Sequence, residues 1–458
     1  MIRTLKNSTA YIMASIWRQL VCVILIALVF GVFIFKRAFS VDVWWPVPTA
    51  VIFAGLFALA MLLLVIQQKF DAAELLIAAV CICCAMFARV ALLPFESGDY
   101  KVYLSEWVSQ LGGMSLKDAL STPTGNYNLP YVYFLAIISK MGGETLLNIK
   151  AFSCLFDVIM AYAVMKLVAC GTDDKHMQLG SFLIILFSPT IMIDSAFWAQ
   201  CDSVYVAFCI ISIMAAIQGK GRLCAISWTA AFCFKLQAVF ILPVMCVALF
   251  KGKVKLKHLF WIPAVYFISL LPAVLCGRSL LSCLSIYTNQ MGQYKGLTFN
   301  APSGWCFFGS PKSDAIMNMS LYLALGVLLA FTGYSLKFAK KIDDTQLLRL
   351  FFLVALLAPY ILPNMHERYF YMAEILSIVY FMYDRKKWYI PAVITLSSLS
   401  SYMEYFAAFS MNSQEDYQSM INGLKPIYFA AAFFVILALE GKKLFHELRA
   451  SDAPDKIV

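Results

Sequence analysis

The stretch PNMHERYFY sets His366, Glu367 and Arg368 side by side, directly after the apolar run RLFFLVALLAPYIL and just ahead of ILSIVYFMY. Charge-assisted hydrogen bonds from such a cluster can hold phosphate oxygens, with the planar guanidinium best suited to the task. A helix beginning here would carry Glu367, Tyr371 and Glu374 on one face, with Glu374 about 10 Å deeper. In ESGDYKVYLSEWVSQL, Ser97 can cap a short helix with an apolar stripe of Tyr100, Leu104, Trp107 and Leu111. Asp99, Tyr103 and Glu106 would share its polar face. A positioned carboxylate can take the proton of an attacking hydroxyl, so Asp99 is the candidate general base, with Glu96 and Tyr100 beside it. FWAQCDS contributes Trp198, Gln200 and Asp202; FKLQ contributes Lys235 and Gln237.

Each group also has a purely structural use. Asp99 and Glu96 can complement a helix N-terminus, worth ~0.3–1 kcal/mol. Asp202 or Ser203 can cap the helix that follows. Lys235 can snorkel to an interface, and His366, Glu367 and Arg368 can serve as a charged anchor. Against these, a charge among apolar runs costs at least ~2.5–3.5 kcal/mol at mid-bilayer, which favours a paired or functional Lys235.

The elements that must position these residues are apolar. Of 458 residues, 62% are hydrophobic and 14% charged, in repeated apolar runs that suit a ~30 Å hydrocarbon core. About fourteen spans are expected, near 19–35, 47–66, 73–94, 150–169, 177–194, 202–217, 222–236, 238–250, 258–276, 318–338, 346–362, 367–383, 388–408 and 424–440. The expected class is an all-α polytopic transmembrane bundle with amphipathic interfacial helices in its first large outer loop. The N-terminal run lacks a small-residue cleavage site and reads as a retained span. Fourteen cysteines, mostly within spans and without metal-ligand spacing, read as small packing residues.

The net charge of +10 comes from short basic clusters between spans, such as KGKVKLK and YDRKK, so nucleic acid is not an expected partner. Treating LPYVYFLAIISKM (129–141) as an outer interfacial helix puts about 23 of the 36 Lys and Arg residues on the inner side. The outer face then holds the segments at 94–133, 194–203 and 287–309, and the start of PNMHERYFY. The chain divides into two extra spans (1–66), a module at 67–276 with its catalytic outer loop at 95–149, a second outer loop at 277–317, and a C-terminal helical module at 318–458.

Phosphate binders and one carboxylate on a lipid-facing side suit transfer from a lipid-linked donor. A glycosyl phosphate leaves as a phosphomonoester with a second pKa of about 6, so no dedicated acid is required. Attack opposite the phosphate inverts the sugar carbon. The ordered set SGDY, NYNLPY, FWAQCDS, FKLQAVFILP, LTFNAPSGW and PNMHERYFY resembles the GT-C membrane glycosyltransferases. Within them, the chain is similar to bacterial proteins like the second mannosyltransferase of glycosylphosphatidylinositol anchor synthesis, and more distantly to dolichol-dependent glucosyltransferases.

The resemblance runs from about residue 73 to 383. It implies Asp99 as base, His366 and Glu367 at the lipid phosphate, a polyprenyl-phosphate hexose donor and a glycan or lipid-linked acceptor. Arg368 stands where the glucosyltransferases carry Lys. One strong acidic candidate in the first loop argues against a divalent metal, and no cofactor is expected. The resemblance also implies a bacterial plasma membrane protein with its site on the extracytoplasmic face. Asp99, Asp202, His366 and Arg368 are expected to line one outward cavity. A flippase or transporter of lipid-linked saccharides is the alternative, although no internal repeat is evident.

Overall fold

Long apolar runs satisfy their own backbone polar groups by forming helices, and the described residues do so. The computed structural model describes residues 46–290, 296–308, 313–410 and 425–450; the expected first span at 19–35 lies outside them. Among the described residues the architecture is all-α apart from one pair of two-residue strands. Six helices among the described residues are long and apolar enough to cross a membrane: Val47–Val65, Ala72–Leu92, Thr145–Val168, Leu256–Leu275, Asp314–Lys337 and Asp344–Ile361.

Several expected spans fold differently. The run at 177–194 becomes Lys175–Phe187 and Pro189–Phe197, bent by 44°. Pro189 is the cause, because it has no N–H to continue the ladder and favours the first position of a new helix. Asp202–Ile217, Gly221–Phe234 and Tyr371–Tyr383 have 16, 14 and 13 residues. At 1.5 Å per residue these helices reach only about 20–24 Å. The run at 238–250 starts as a 3-10 turn, Leu236–Ile241, before Leu242–Lys251.

The chain clusters into two compact units. Among the described residues, the first comprises 46–106, 141–165 and 173–203; the second comprises 107–140, 166–172 and those from 204 onward. In the first, Val47–Val65 packs on Ala72–Leu92, which also meets Lys175–Phe187. Asp71 and Glu74 cap the second of these helices reciprocally. The Asp71 carboxyl is held below its ordinary value, first by the backbone N–H of Glu74 and then by Lys175.

Inside this unit lies a fully buried ion pair. Arg89 Nε donates to Asp157 Oδ2 at 3.0 Å, and Arg89 Nη1 donates to Leu186 O at 2.8 Å. Ser195 Oγ donates to the same Asp157 oxygen at 2.6 Å.

The second unit is built around Asp344–Ile361, which packs against Leu242–Lys251, Tyr371–Tyr383 and Pro426–Ala450. By contrast, Leu256–Leu275 and Asp314–Lys337 lie at its edge and expose apolar side chains such as Ile268, Leu275, Tyr322 and Leu329. Helices apolar around most of their circumference suit hydrocarbon rather than water.

Leu129–Met141 is a 13-residue apolar helix, tied to Leu256–Leu275 by Tyr133. Pro272 interrupts the latter, and the Tyr133 hydroxyl donates to Ser269 O and accepts from Ala273 N, each at 3.1 Å. The hydroxyl thus bridges a donor and an acceptor that an unbroken helix would join directly.

Among the described residues no disulfide forms. Cys154, Cys209 and Cys233 are buried as packing residues, whereas Cys84 is exposed on an apolar helix.

Candidate functional site

In the first unit the sequence expectations for Asp99 meet a specific arrangement. Trp198 Nε1 donates to Asp99 Oδ2 at 3.0 Å, and Gln200 Nε2 donates to the same oxygen at 2.6 Å. Ser97 Oγ donates to Trp198 O at 2.7 Å and accepts from Tyr100 N at 3.1 Å. Ser97 is therefore the cap, as its type suggests, while the Asp99 side chain makes no capping hydrogen bond. Phe95 stacks on Phe197 with centroids 3.7 Å apart, joining the same two segments.

Backbone geometry makes this clamp possible. The chain after Asp99 forms a π-helical turn, Tyr100–Leu104, and the chain before Trp198 forms another, Ile193–Phe197. Such turns are rare and recur at functional sites. Ala199, between the two donors, has φ +67°, a left-handed conformation that costs a residue with a Cβ roughly 1–2 kcal/mol.

Of the polar face expected here, Tyr103 and Glu106 are exposed and Asp99 is partly covered. Leu104 and Leu111 are buried, Tyr100 nearly so and Trp107 partly, so the apolar stripe does form.

Glu96 is exposed and pairs with Lys101 at 3.7 Å. Burial, followed by the Glu96 and Glu144 carboxylates, pushes the Tyr100 phenol above its ordinary value. Asp202 is buried at the first turn of Asp202–Ile217. Ser203 turns away from capping and donates to Ser153 O at 3.1 Å.

In the second unit, His366, Glu367 and Arg368 are not an exposed anchor. Their side chains are 21%, 6% and 13% accessible. The helix expected from Glu367 begins only at Tyr371, because Met365–His366 (β2) is drawn into parallel pairing with Thr298–Phe299 (β1). Asn364, at φ +62°, turns the chain into this strand and donates its N–H to Leu297 O. Glu367 thus lies outside the helix that holds Tyr371 and Glu374, and their expected common face is not formed.

The His366 ring stacks on Phe299, with centroids 4.8 Å apart and planes 13° apart, and lies against Tyr369. Glu367 sits between Nδ1 of His366 at 3.9 Å and Nε of Arg368 at 3.6 Å.

Lys235 is extended between two helical segments and buried. Its Nζ lies 5.7 Å from the centroid of Tyr127, in NYNLPY, and 6.0 Å from that of Tyr205. Both aromatic faces can stabilise the cation. Gln237, two residues on, is half-buried. Tyr371 and Glu374 are buried, and Glu374 accepts from Thr395 Oγ1 at 2.9 Å.

The quoted motifs thus sort by unit. SGDY and FWAQ clamp each other in the first unit. In the second, NYNLPY meets FKLQ, and LTFN pairs with NMHE.

Three groups that motif reading did not single out are structurally prominent. Arg89 and Asp157 form the buried pair that accepts Ser195 from the π-turn ahead of Trp198. Lys150, fully buried, donates to Leu93 O at 2.8 Å and Phe95 O at 2.6 Å, securing the chain just before Asp99. Their signal was available: each is a charge inside an apolar run. Among the described residues, no group of three or more His, Cys, Asp or Glu side chains is arranged to hold a metal ion. No protein-family model and no curated protein matches this chain.

Proposed function

We propose that this chain is an integral membrane glycosyltransferase of GT-C type with about fourteen spans. In this reading it transfers a hexose, mannose or glucose, from a polyprenyl-phosphate donor to a glycan or lipid-linked acceptor. Its site lies on the extracytoplasmic face of a bacterial plasma membrane. The observation that carries the reading is the pair of donors on Asp99 Oδ2, which orients a carboxylate from an early loop without using it as a helix cap.

Asp99 accepts the proton of the acceptor hydroxyl as the oxygen attacks the anomeric carbon. The carbon–oxygen bond to phosphate breaks on the opposite face and polyprenyl phosphate departs, leaving an inverted product. His366, Arg368 and Lys235 hold the phosphate by charge and hydrogen bonds. Purified protein given a polyprenyl-phosphate hexose and a glycan acceptor is expected to form the glycosylated product. Absence of product with both mannose and glucose donors, in protein of native stability, overturns the reading.

A second reading is favoured by one observation, the Arg89–Asp157 pair buried within apolar helices. Ion pairs at such depth mark substrate or proton pathways in transporters of lipid-linked saccharides. Transbilayer movement of intact donor by reconstituted protein, without sugar transfer, would favour it.

A further inference from the structure

A shallow, open cavity of about 390 Å³ lies at the surface of the second unit, lined by Gly219, Lys220, Gly221, Arg222, Leu223, Ile226 and His258. Three of these residues carry basic side chains, and no carboxylate is among the lining residues. The sequence is cationic here on a larger scale: no Asp or Glu occurs between Asp202 and Asp314. The carboxylate that reaches this end of the unit, Asp344, pairs with Lys253 at 2.8 Å.

The walls are organised. The Arg222 guanidinium lies 4.4 Å from the centroid of Trp261, whose flat ring holds it by cation–π attraction. His258 Nδ1 accepts the backbone N–H of Lys255 at 3.1 Å, so the neutral ring carries its proton on Nε2 as a donor. The ring lies so close over Gly221 that a Cβ there would overlap it. Only glycine permits this placement.

The cavity also sits at the start of Leu256–Leu275, a candidate span that is mostly unburied, as Asp314–Lys337 is. Leu256 and Phe260 beside it are 75% and 70% exposed. Exposed apolar side chains next to a cavity with three basic lining residues suit a membrane-water boundary, with acyl chains on one side and headgroup phosphate on the other.

We infer that this cavity binds the headgroup phosphate of an anionic phospholipid, held by Lys220, Arg222 and His258, with acyl chains along Leu256 and Phe260. The site requires Leu256–Leu275 to lie in a membrane but does not require sugar transfer. Failure of the proposed catalysis therefore leaves it standing, and its own failure leaves the catalysis standing.

The test is native mass spectrometry of full-length protein in neutral detergent, titrated with phosphatidylglycerol or phosphatidylcholine. The wild type is expected to retain phosphatidylglycerol preferentially. K220Q/R222Q is expected to weaken that retention roughly 30-fold, as removal of two basic groups facing an anionic headgroup should, while R385Q/K386Q in another basic cluster stays within about twofold. G221A, which adds no charge but displaces the imidazole, is expected to weaken it as well. Melting curves matching the wild type confirm that each variant is folded. Equal retention by wild type, K220Q/R222Q and G221A overturns the inference. So does an equal loss in R385Q/K386Q, which would mean diffuse attraction, or displacement of phosphatidylglycerol by millimolar inorganic phosphate, which would mean a soluble anion.

Discussion

Two donors converging on one carboxylate oxygen restrict the rotation of Asp99 and fix the direction in which the carboxylate of a general base points. If Asp99 takes the acceptor proton, Asp99→Asn lowers transfer by about 10²–10⁴-fold with unchanged expression and melting, read by initial rates on polyprenyl-phosphate hexose. Gln200→Leu removes one orienting hydrogen bond and leaves the phosphate contacts alone. It is expected to lower kcat about tenfold with the donor KM unchanged, as the loss of one hydrogen bond to a charged group implies. A raised KM with intact kcat would assign Gln200 to binding instead. The His366 stack on Phe299 shows the same economy, since an aromatic neighbour fixes the imidazole plane while both ring nitrogens remain at its edge.

At the scale of elements, irregular backbone surrounds the clamp. Two π-helical turns and the left-handed Ala199 bring SGDY and FWAQ within hydrogen-bond reach, and buried charges brace the elements behind them. Ala199→Gly should be neutral or stabilising, whereas Ala199→Val should cost roughly 1–3 kcal/mol, because a β-branched residue resists positive φ. Thermal melting of purified protein distinguishes the two. Asp157→Leu leaves Arg89 buried without its partner and should destabilise by about 3–5 kcal/mol. Adding Arg89→Met should restore much of that loss, since an apolar pair can replace a buried ion pair; additive losses in the double variant would refute the coupling.

At the scale of the whole molecule, the proposed function places positions 99 and 366 on the same side of a membrane and the KGKVKLK loop on the other. Single cysteines introduced at 99, 366 and 255 in a cysteine-depleted background should react with an impermeant maleimide from outside, outside and inside. Reaction of 99 and 366 from opposite sides removes the proposed site.

The helical class and the long apolar helices were legible in the sequence, because hydrophobic run length is a local property. The breaks were less so. Pro189 and Lys235 stand out as residues, but the 44° bend and the 3-10 turn follow from how the flanking segments pack. The late start of Tyr371–Tyr383 depends on a strand pairing with residues more than sixty positions earlier. Likewise Trp198 and Gln200 are recognisable as polar groups at the end of an apolar run, yet their shared hold on Asp99 arises from a contact about a hundred residues distant in sequence. Sequence alone determined which segments must leave water and which side chains are costly to bury. Tertiary structure decided what each costly side chain faces, because a hydrogen bond depends on distances of about 3 Å that no local pattern encodes.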